Sequence, residues 1–374
     1  YDQVLDATLM VGAVPPRFTG AQGLELYFAM ARGARSGAQE TGCCGQDAVA
    51  CEMTKWFDTN YHYLAPEVVA GQTFQLASTQ PVDAFLEARA QGRHTRPVLI
   101  GPVTWLKLAK ARDGSDPRDL LDAVAPVYGE ILRRLAAAGA DWVQMDEPAL
   151  ALDLDDKDRA AFARAYESLA RAAPGLKLML TPYFAALDDN LDLALTLPVA
   201  GLHLDLVRGP GDLDPALARA RPDLVLSLGV VDGRNVWRTD LTALLDRLEP
   251  VVASGRRVLL APSCSLLHAP IDLAAETRLD PEVASWLAFG VQKLEELAIL
   301  ARALNEGRGA VAEALAASDA AQAARRASPK VRDLAVQARM AAVTPQMADR
   351  AAPVAERLAL QAKALNLPAY PTTT

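Results

Sequence analysis

A parallel α/β architecture of the TIM type, a (β/α)8 barrel, is the fold that three observations predict. Short apolar runs alternate with longer amphipathic stretches from about residue 97 to residue 267. Each run is almost wholly apolar at first and turns polar at its carboxyl end, as strands buried on both faces do when chemistry gathers at one rim. Finally, 51% hydrophobic against 22% charged residues in 374 gives enough apolar side chains for one large core.

The strand candidates follow in chain order. They are "PVLIGPVT" (97–104), "WVQMDEP" (142–148), "LKLMLTPYF" (176–184), "GLHLDLV" (201–207), "LVLSLGVVDG" (224–233) and "RVLLAPSCSL" (257–266). Their polar ends are Thr104, Asp146 with Glu147, Thr181 with Tyr183, Asp205, Asp232 and Cys264. Helices over 117–138 and 159–172 carry apolar residues at three- and four-residue spacing. That makes six staves where a closed barrel has eight, so the first two are expected before Tyr1. An opening on Tyr1 and an ending in "LPAYPTTT" fit a piece of a longer protein. Residues 1–305 are assigned to the barrel. Residues 306–374, alanine- and arginine-rich and then stiffened by Pro368 and Pro371, are assigned to a helical connector.

A net charge of −8 argues against nucleic-acid or anionic-membrane binding, while leaving room for a local basic pocket. No apolar run is long enough to cross a bilayer. Of four cysteines, Cys43, Cys44 and Cys51 cluster and Cys264 stands apart, which is no disulfide framework; a reducing cytoplasm is expected.

Five stretches carry candidate chemistry. "EMTKWFDTNYHY" (52–63) packs two acids, a lysine, a histidine and four aromatics into a chain with only 6% aromatic residues. A hairpin covering the barrel mouth, with Lys55 as its cation, Trp56 as a stacking surface and Asn60 as a hydrogen-bonding group, accounts for most of it. In "MDEPAL", Asp146 and Glu147 must point to opposite sides of a strand. Asp146 could accept from a substrate amine, or could be a structural acid paired with an arginine. "APSCSLLH" offers Cys264 and His268, and "GLHLDL" offers His203 and Asp205 on one face. These could form a metal site, although a buried inert thiol also fits. In "SLGVVDGRNVWR", Arg234 could grip a ligand carboxylate bidentately or pair with Asp146 or Asp240.

Together with "RPVLIGPVTWLKLAK", "LPVAGLHLDLVRGP", "ETRLD" and "SWLAFGVQKLEELA", these blocks resemble the amino-terminal half of cobalamin-independent methionine synthase, from Tyr1 to Thr374 in unbroken order. That family transfers a methyl group from 5-methyltetrahydropteroyltri-L-glutamate to homocysteine, and consists of two barrels. The resemblance implies that zinc and homocysteine belong to a C-terminal catalytic barrel absent here, and that this half scaffolds its partner. It also implies that the lysine of "MTKWF", Lys55, binds the folate polyglutamate tail. The family's zinc ligands fall here on Thr181, Tyr183, Asp205 and Cys264. With two of the four replaced, the expectation is a half with no metal and no catalytic residues of its own. An independent barrel metalloenzyme and a purely structural domain are the alternatives. The segment "GARSGAQETGCCGQDAVACEM" is longer and richer in cysteine than the family pattern.

Overall fold

The computed structural model describes residues 2–34 and 48–370; Cys43 and Cys44 lie outside them. The chain begins with helices α1 (Gln3–Met10) and α2 (Gly23–Arg32), followed by an antiparallel hairpin, β1 (Met53–Lys55) and β2 (His62–Leu64). Strand β3 (Glu67–Val68), helix α3 (Gln80–Ala90), strand β4 (Val98–Ile100), helix α4 (Pro102–Leu108) and strand β5 (Lys110–Ala111) come next. Four β-α pairs follow: α5 (Leu121–Ala137) into β6 (Trp142–Asp146), α6 (Asp156–Ala172) into β7 (Lys177–Thr181), α7 (Leu191–Thr196) into β8 (Gly201–Asp205), and α8 (Leu213–Arg219) into β9 (Val225–Val231). Helix α9 (Leu241–Ala253), strand β10 (Val258–Pro262), and helices α10 (Pro281–Ser285) and α11 (Gly290–Glu306) complete the sheet region.

Six strands form one sheet in the order β10-β9-β8-β7-β6-β4, and every pair is parallel. The order runs one way along the chain with no reversal, unlike a doubly wound sheet. Register aligns the carboxyl ends, Ile100 opposite Asp146 and Asp146 opposite Thr181, with Asp205 opposite Gly229. All seven residues of β9 are buried, the continuous apolar strand that two-sided burial requires. β3 and β5 form a separate small parallel pair, for which the sequence offers no apolar run.

The six strands are shorter than their sequence candidates, and at the first the difference is one of kind. "GPVT" is not the end of a strand. Pro102 opens α4, where its fixed φ and missing N–H suit the first helical position. Thr104 is therefore a buried helical residue whose Oγ1 accepts from the Ala149 amide at 3.3 Å. α6 starts on a reciprocal cap in which the Asp155 side chain accepts from the Asp158 amide, and Asp158 from that of Asp155.

One core cluster takes in the sheet together with α5 and α6; Tyr128, fully buried, donates to the Ile100 carbonyl at 2.9 Å. A smaller cluster under the hairpin holds Leu5, Phe18, Met30 and Leu64. Asp2 joins the hairpin to α1: its carboxylate accepts from the Val4 and Leu5 amides at 2.9 and 3.1 Å and from the Leu64 amide at 2.7 Å.

By contacts the chain forms two compact units, Tyr1–Asp319 and Ala320–Thr374. The first extends into helix α12 (Ala312–Ala327), because Leu300, Ala303, Val311 and Leu315 belong to the core cluster. The second contains α13 (Leu334–Ala341), capped by the Asp333 side chain, and α14 (Val354–Leu365), closed by Asn366 in the left-handed region at φ 47°. Among the described residues, no helix is long and apolar enough to cross a membrane.

Candidate functional site

In the hairpin, Lys55 stands opposite His62 and Thr54 opposite Tyr63. Successive side chains of a strand alternate in direction, so Lys55 is exposed while its neighbour Trp56 turns inward to complete burial. The indole is surrounded edge-on by Phe57, Tyr63 and Tyr61, with ring centres 5.0, 5.9 and 6.5 Å away. The stacking role read for Trp56 is corrected accordingly: with no face exposed, the ring is the hairpin's own core. Asn60 is exposed at the turn, its carbonyl 2.9 Å from His62 Nδ1. Lys55 makes no hydrogen bond or ion pair among the described residues.

At the rim of the sheet Asp146 and Glu147 diverge as strand alternation requires. Asp146 faces a cavity of about 510 Å³ whose lining includes Arg96, Gln144, Tyr183, His203 and Cys264. It accepts from Gln144 Nε2 at 2.8 Å and the Tyr183 hydroxyl at 3.0 Å. Burial pushes its pKa up to about 6 despite those bonds and the Arg96 charge. Glu147 turns away and is fully buried, accepting from the Val103 and Thr104 amides at 3.3 and 2.7 Å and from the Tyr166 hydroxyl at 3.2 Å. Burial raises it to about 7. Because the folded chain keeps this proton when the unfolded chain has released it, folded protein binds more protons between an ordinary glutamate pKa and about 7. Stability therefore falls as pH rises through that window and levels off above it. Glu147→Gln should make the fall shallower in denaturation midpoints taken across the window; an unchanged slope would show that Glu147 titrates normally.

The candidate metal ligands are engaged elsewhere. Asp205 staples the turn that follows its strand, accepting from the amides of Phe184 (3.0 Å), Val207 (3.1 Å) and Arg208 (3.0 Å). His203 lies between Ser227 Oγ at 3.0 Å and the Ser263 carbonyl at 3.1 Å. The carbonyl can only accept, so Nε2 carries the hydrogen and Nδ1 accepts from the serine. Burial holds the ring neutral, with its pKa lowered to about 4. Cys264 is buried beneath Gly233, and burial pushes its thiol up to about 12. Thr181 Oγ1 donates to the Met179 carbonyl at 3.2 Å. Among the described residues no three His, Cys, Asp or Glu side chains are grouped to hold a metal ion.

Arg234 extends from the turn after β9 to the tip of the hairpin. Its Nη1 lies 2.7 Å from Asp58 Oδ1 and its Nη2 3.1 Å from the Asp58 carbonyl, so its partner is neither Asp146 nor Asp240. The guanidinium also lies over the Phe184 ring, 4.9 Å from its centre. The turn is rigidly braced. Asp232 accepts from the amides of Arg234 (2.8 Å) and Asn235 (3.2 Å), and from Asn235 Nδ2 (2.8 Å). Lys293, wholly buried in α11, donates to Asn235 Oδ1 at 3.1 Å and to the Trp237 carbonyl at 3.3 Å. Phe57 packs on Phe184 with ring centres 6.0 Å apart, and both have positive φ, 49° and 82°. For bulky residues this backbone costs on the order of 1–3 kcal/mol each.

The hairpin thus meets the carboxyl rim of the sheet through Phe57 and Asp58, bringing Arg234 to the strand pair that bears Lys55, while Asp146 lies in the cavity below. Sequence reading passed over Asp58, Phe184 and Lys293. Asp58 sits inside the quoted aromatic run, yet nothing in spacing alone pairs it with a residue 176 positions away.

An all-parallel sheet in sequential order, with its polar groups gathered at the carboxyl ends and a hairpin over that rim, defines a parallel-sheet α/β protein. The family model described as the cobalamin-independent synthase N-terminal domain matches residues 1–255. The chain belongs to the cobalamin-independent methionine synthase family, to its amino-terminal half. The 5-methyltetrahydropteroyltriglutamate–homocysteine methyltransferase of Caulobacter vibrioides is 60% identical over 388 aligned positions, covering 100% of this chain and 50% of that protein. The same-named protein of Rhodopseudomonas palustris is 57% identical, again over the whole chain and 49% of the relative. The chain spans about half the length of the curated relatives it matches. Among solved structures, a B12-independent methionine synthase from Shewanella sp. W3-18-1 aligns with 18% identity and a TM-score of 0.46, over 69% of this chain and 75% of that one, too slight a likeness to bear on the site.

Proposed function

We propose that the chain is the zinc-free, amino-terminal half of a methyltransferase that moves the methyl group of 5-methyltetrahydropteroyltri-L-glutamate to homocysteine, forming methionine in the cytoplasm. In the whole protein residues 1–305 form a barrel closed by two preceding strands, and residues 306–374 connect it to a C-terminal catalytic barrel. Zinc bound in that other half would supply the Lewis acidity that favours the thiolate form of homocysteine. This half scaffolds the catalytic barrel and, through Lys55, anchors the folate tail. Asn60, Arg234 and Asp146 are lesser candidates for ligand contact.

The observation that carries this reading is the placement of Lys55, an exposed cation without a protein partner among the described residues, on a hairpin over the carboxyl rim of a parallel sheet. A ligand with several carboxylates suits such a cation. Binding energy gained there, away from the reacting atoms, is realised as orientation of the methyl donor. An independent metalloenzyme has against it that His203 and Asp205 are already engaged in hydrogen bonds within the fold.

In the intact protein, Lys55→Ala should raise the KM for triglutamate folate about tenfold, ~1.4 kcal/mol, and leave that for monoglutamate folate nearly unchanged. A triglutamate KM untouched by the substitution would leave a purely structural domain as the better reading.

A further inference from the structure

We propose that Asp58 is a built-in competitor for the acidic ligand: its carboxylate occupies Arg234 in the free protein, and a carboxylate of the incoming tail displaces it. This rests on the reading of Lys55 as a carboxylate anchor and adds to it a second, masked subsite.

The two partners in the clasp are unequal. The Arg234 side chain is 14% exposed and that of Asp58 is 66% exposed. The guanidinium is the fixed member, seated on Phe184 and carried by a turn that Asp232 and Lys293 hold from two sides. Asp58 is the removable member, at the tip of a hairpin with water on its open side. The guanidinium holds Asp58 through one carboxylate oxygen and the main-chain carbonyl; an incoming carboxylate can take both of those N–H groups bidentately, so the exchange replaces one anion by another and leaves the guanidinium paired. The charged or titratable groups near the pair include Arg208, whose positive charge acts on Asp58, and His268, which touches Phe184 with ring centres 5.6 Å apart. Two more lie on the Arg234 side: the Cys264 thiol, on which the Arg234 charge acts, and the Asp232 carboxylate, which is engaged by the Arg234 and Asn235 amides and the Asn235 side chain. Lys55 lies three residues before Asp58 on the same hairpin, so one ligand with several carboxylates can engage Lys55 and Arg234 together.

The test is the KM for triglutamate and monoglutamate folate in the intact protein, for Asp58→Asn, Arg234→Gln and the double variant. Asp58→Asn should lower the triglutamate KM about threefold, the range expected of an exposed ion pair, and leave the monoglutamate KM unchanged. Arg234→Gln should raise the triglutamate KM and abolish the gain in the double variant. Asp58→Glu, which keeps the charge, should stay near the wild-type value. A rise or no change in Asp58→Asn, a gain that survives without Arg234, or an equal gain in Asp58→Glu each overturns the proposal. Lys55→Ala run in parallel separates the two ideas. A silent Lys55→Ala removes the anchor itself, whereas a defective Lys55→Ala beside a silent Asp58→Asn removes only the clasp.

Discussion

Trp56→Ala should lower the stability of the sheet-bearing unit by about 3–5 kcal/mol, the usual range for deleting a large buried aromatic, whereas Lys55→Ala next to it should shift stability by less than about 0.5 kcal/mol. The contrast follows from strand alternation at the end of β1. The indole is 0% exposed and fills the space among Phe57, Tyr61 and Tyr63. Equilibrium denaturation of the two variants measures the difference. A loss under about 1 kcal/mol for Trp56→Ala would mean that the ring is not the hairpin's core, and would return it to the list of ligand-contacting candidates. Hairpin loss should also disable Arg234 as a clasp, because Asp58 lies two positions beyond the indole.

Gly101→Ala should be of similar size, about 3–5 kcal/mol, for a different reason. A Cβ at this position would lie 2.1 Å from Glu147 Oε1, 2.2 Å from its Cδ and 2.5 Å from its Cγ. The carboxyl cannot swing aside cheaply, being fully buried and pinned by the Val103 and Thr104 amides and the Tyr166 hydroxyl. Moving it would strand those donors at the start of α4. Denaturation midpoints measure this too, and Gly101→Ala/Glu147→Ala supplies the check: by removing the clashing atoms it should destabilise by less than the sum of the single changes. Strict additivity would show that Gly101 and Glu147 do not meet.

The sheet was largely legible in the sequence because strands buried on both faces must be written as unbroken apolar runs. The six candidate runs correspond to β4 and β6 to β10. Where reading failed, a local signal pointed the wrong way. "GPVT" has strand-like Val and Thr, but Pro102 starts a helix there. The pair β3–β5 is two residues long on each side and leaves no periodic trace. At the candidate site, alternation correctly separated Asp146 from Glu147 but, left unapplied to Lys55 and Trp56, it let the indole pass for a binding surface. Arg234 was visible as a cation near a strand end, but its partner was not. Nor could spacing have revealed that His203 and Asp205 are already bonded by Ser227, Ser263 and backbone amides, since such partners come from tertiary packing alone.

The one-directional strand order has a bearing on how the molecule comes into being. Each strand from β6 to β10 lies beside the strand that precedes it in the sheet, so each new β-α segment emerging from the ribosome finds its template already in place. Pairings between successive segments keep loop closure modest at every step, and growth can proceed by accretion, one segment at a time, without waiting for distant sequence to be translated.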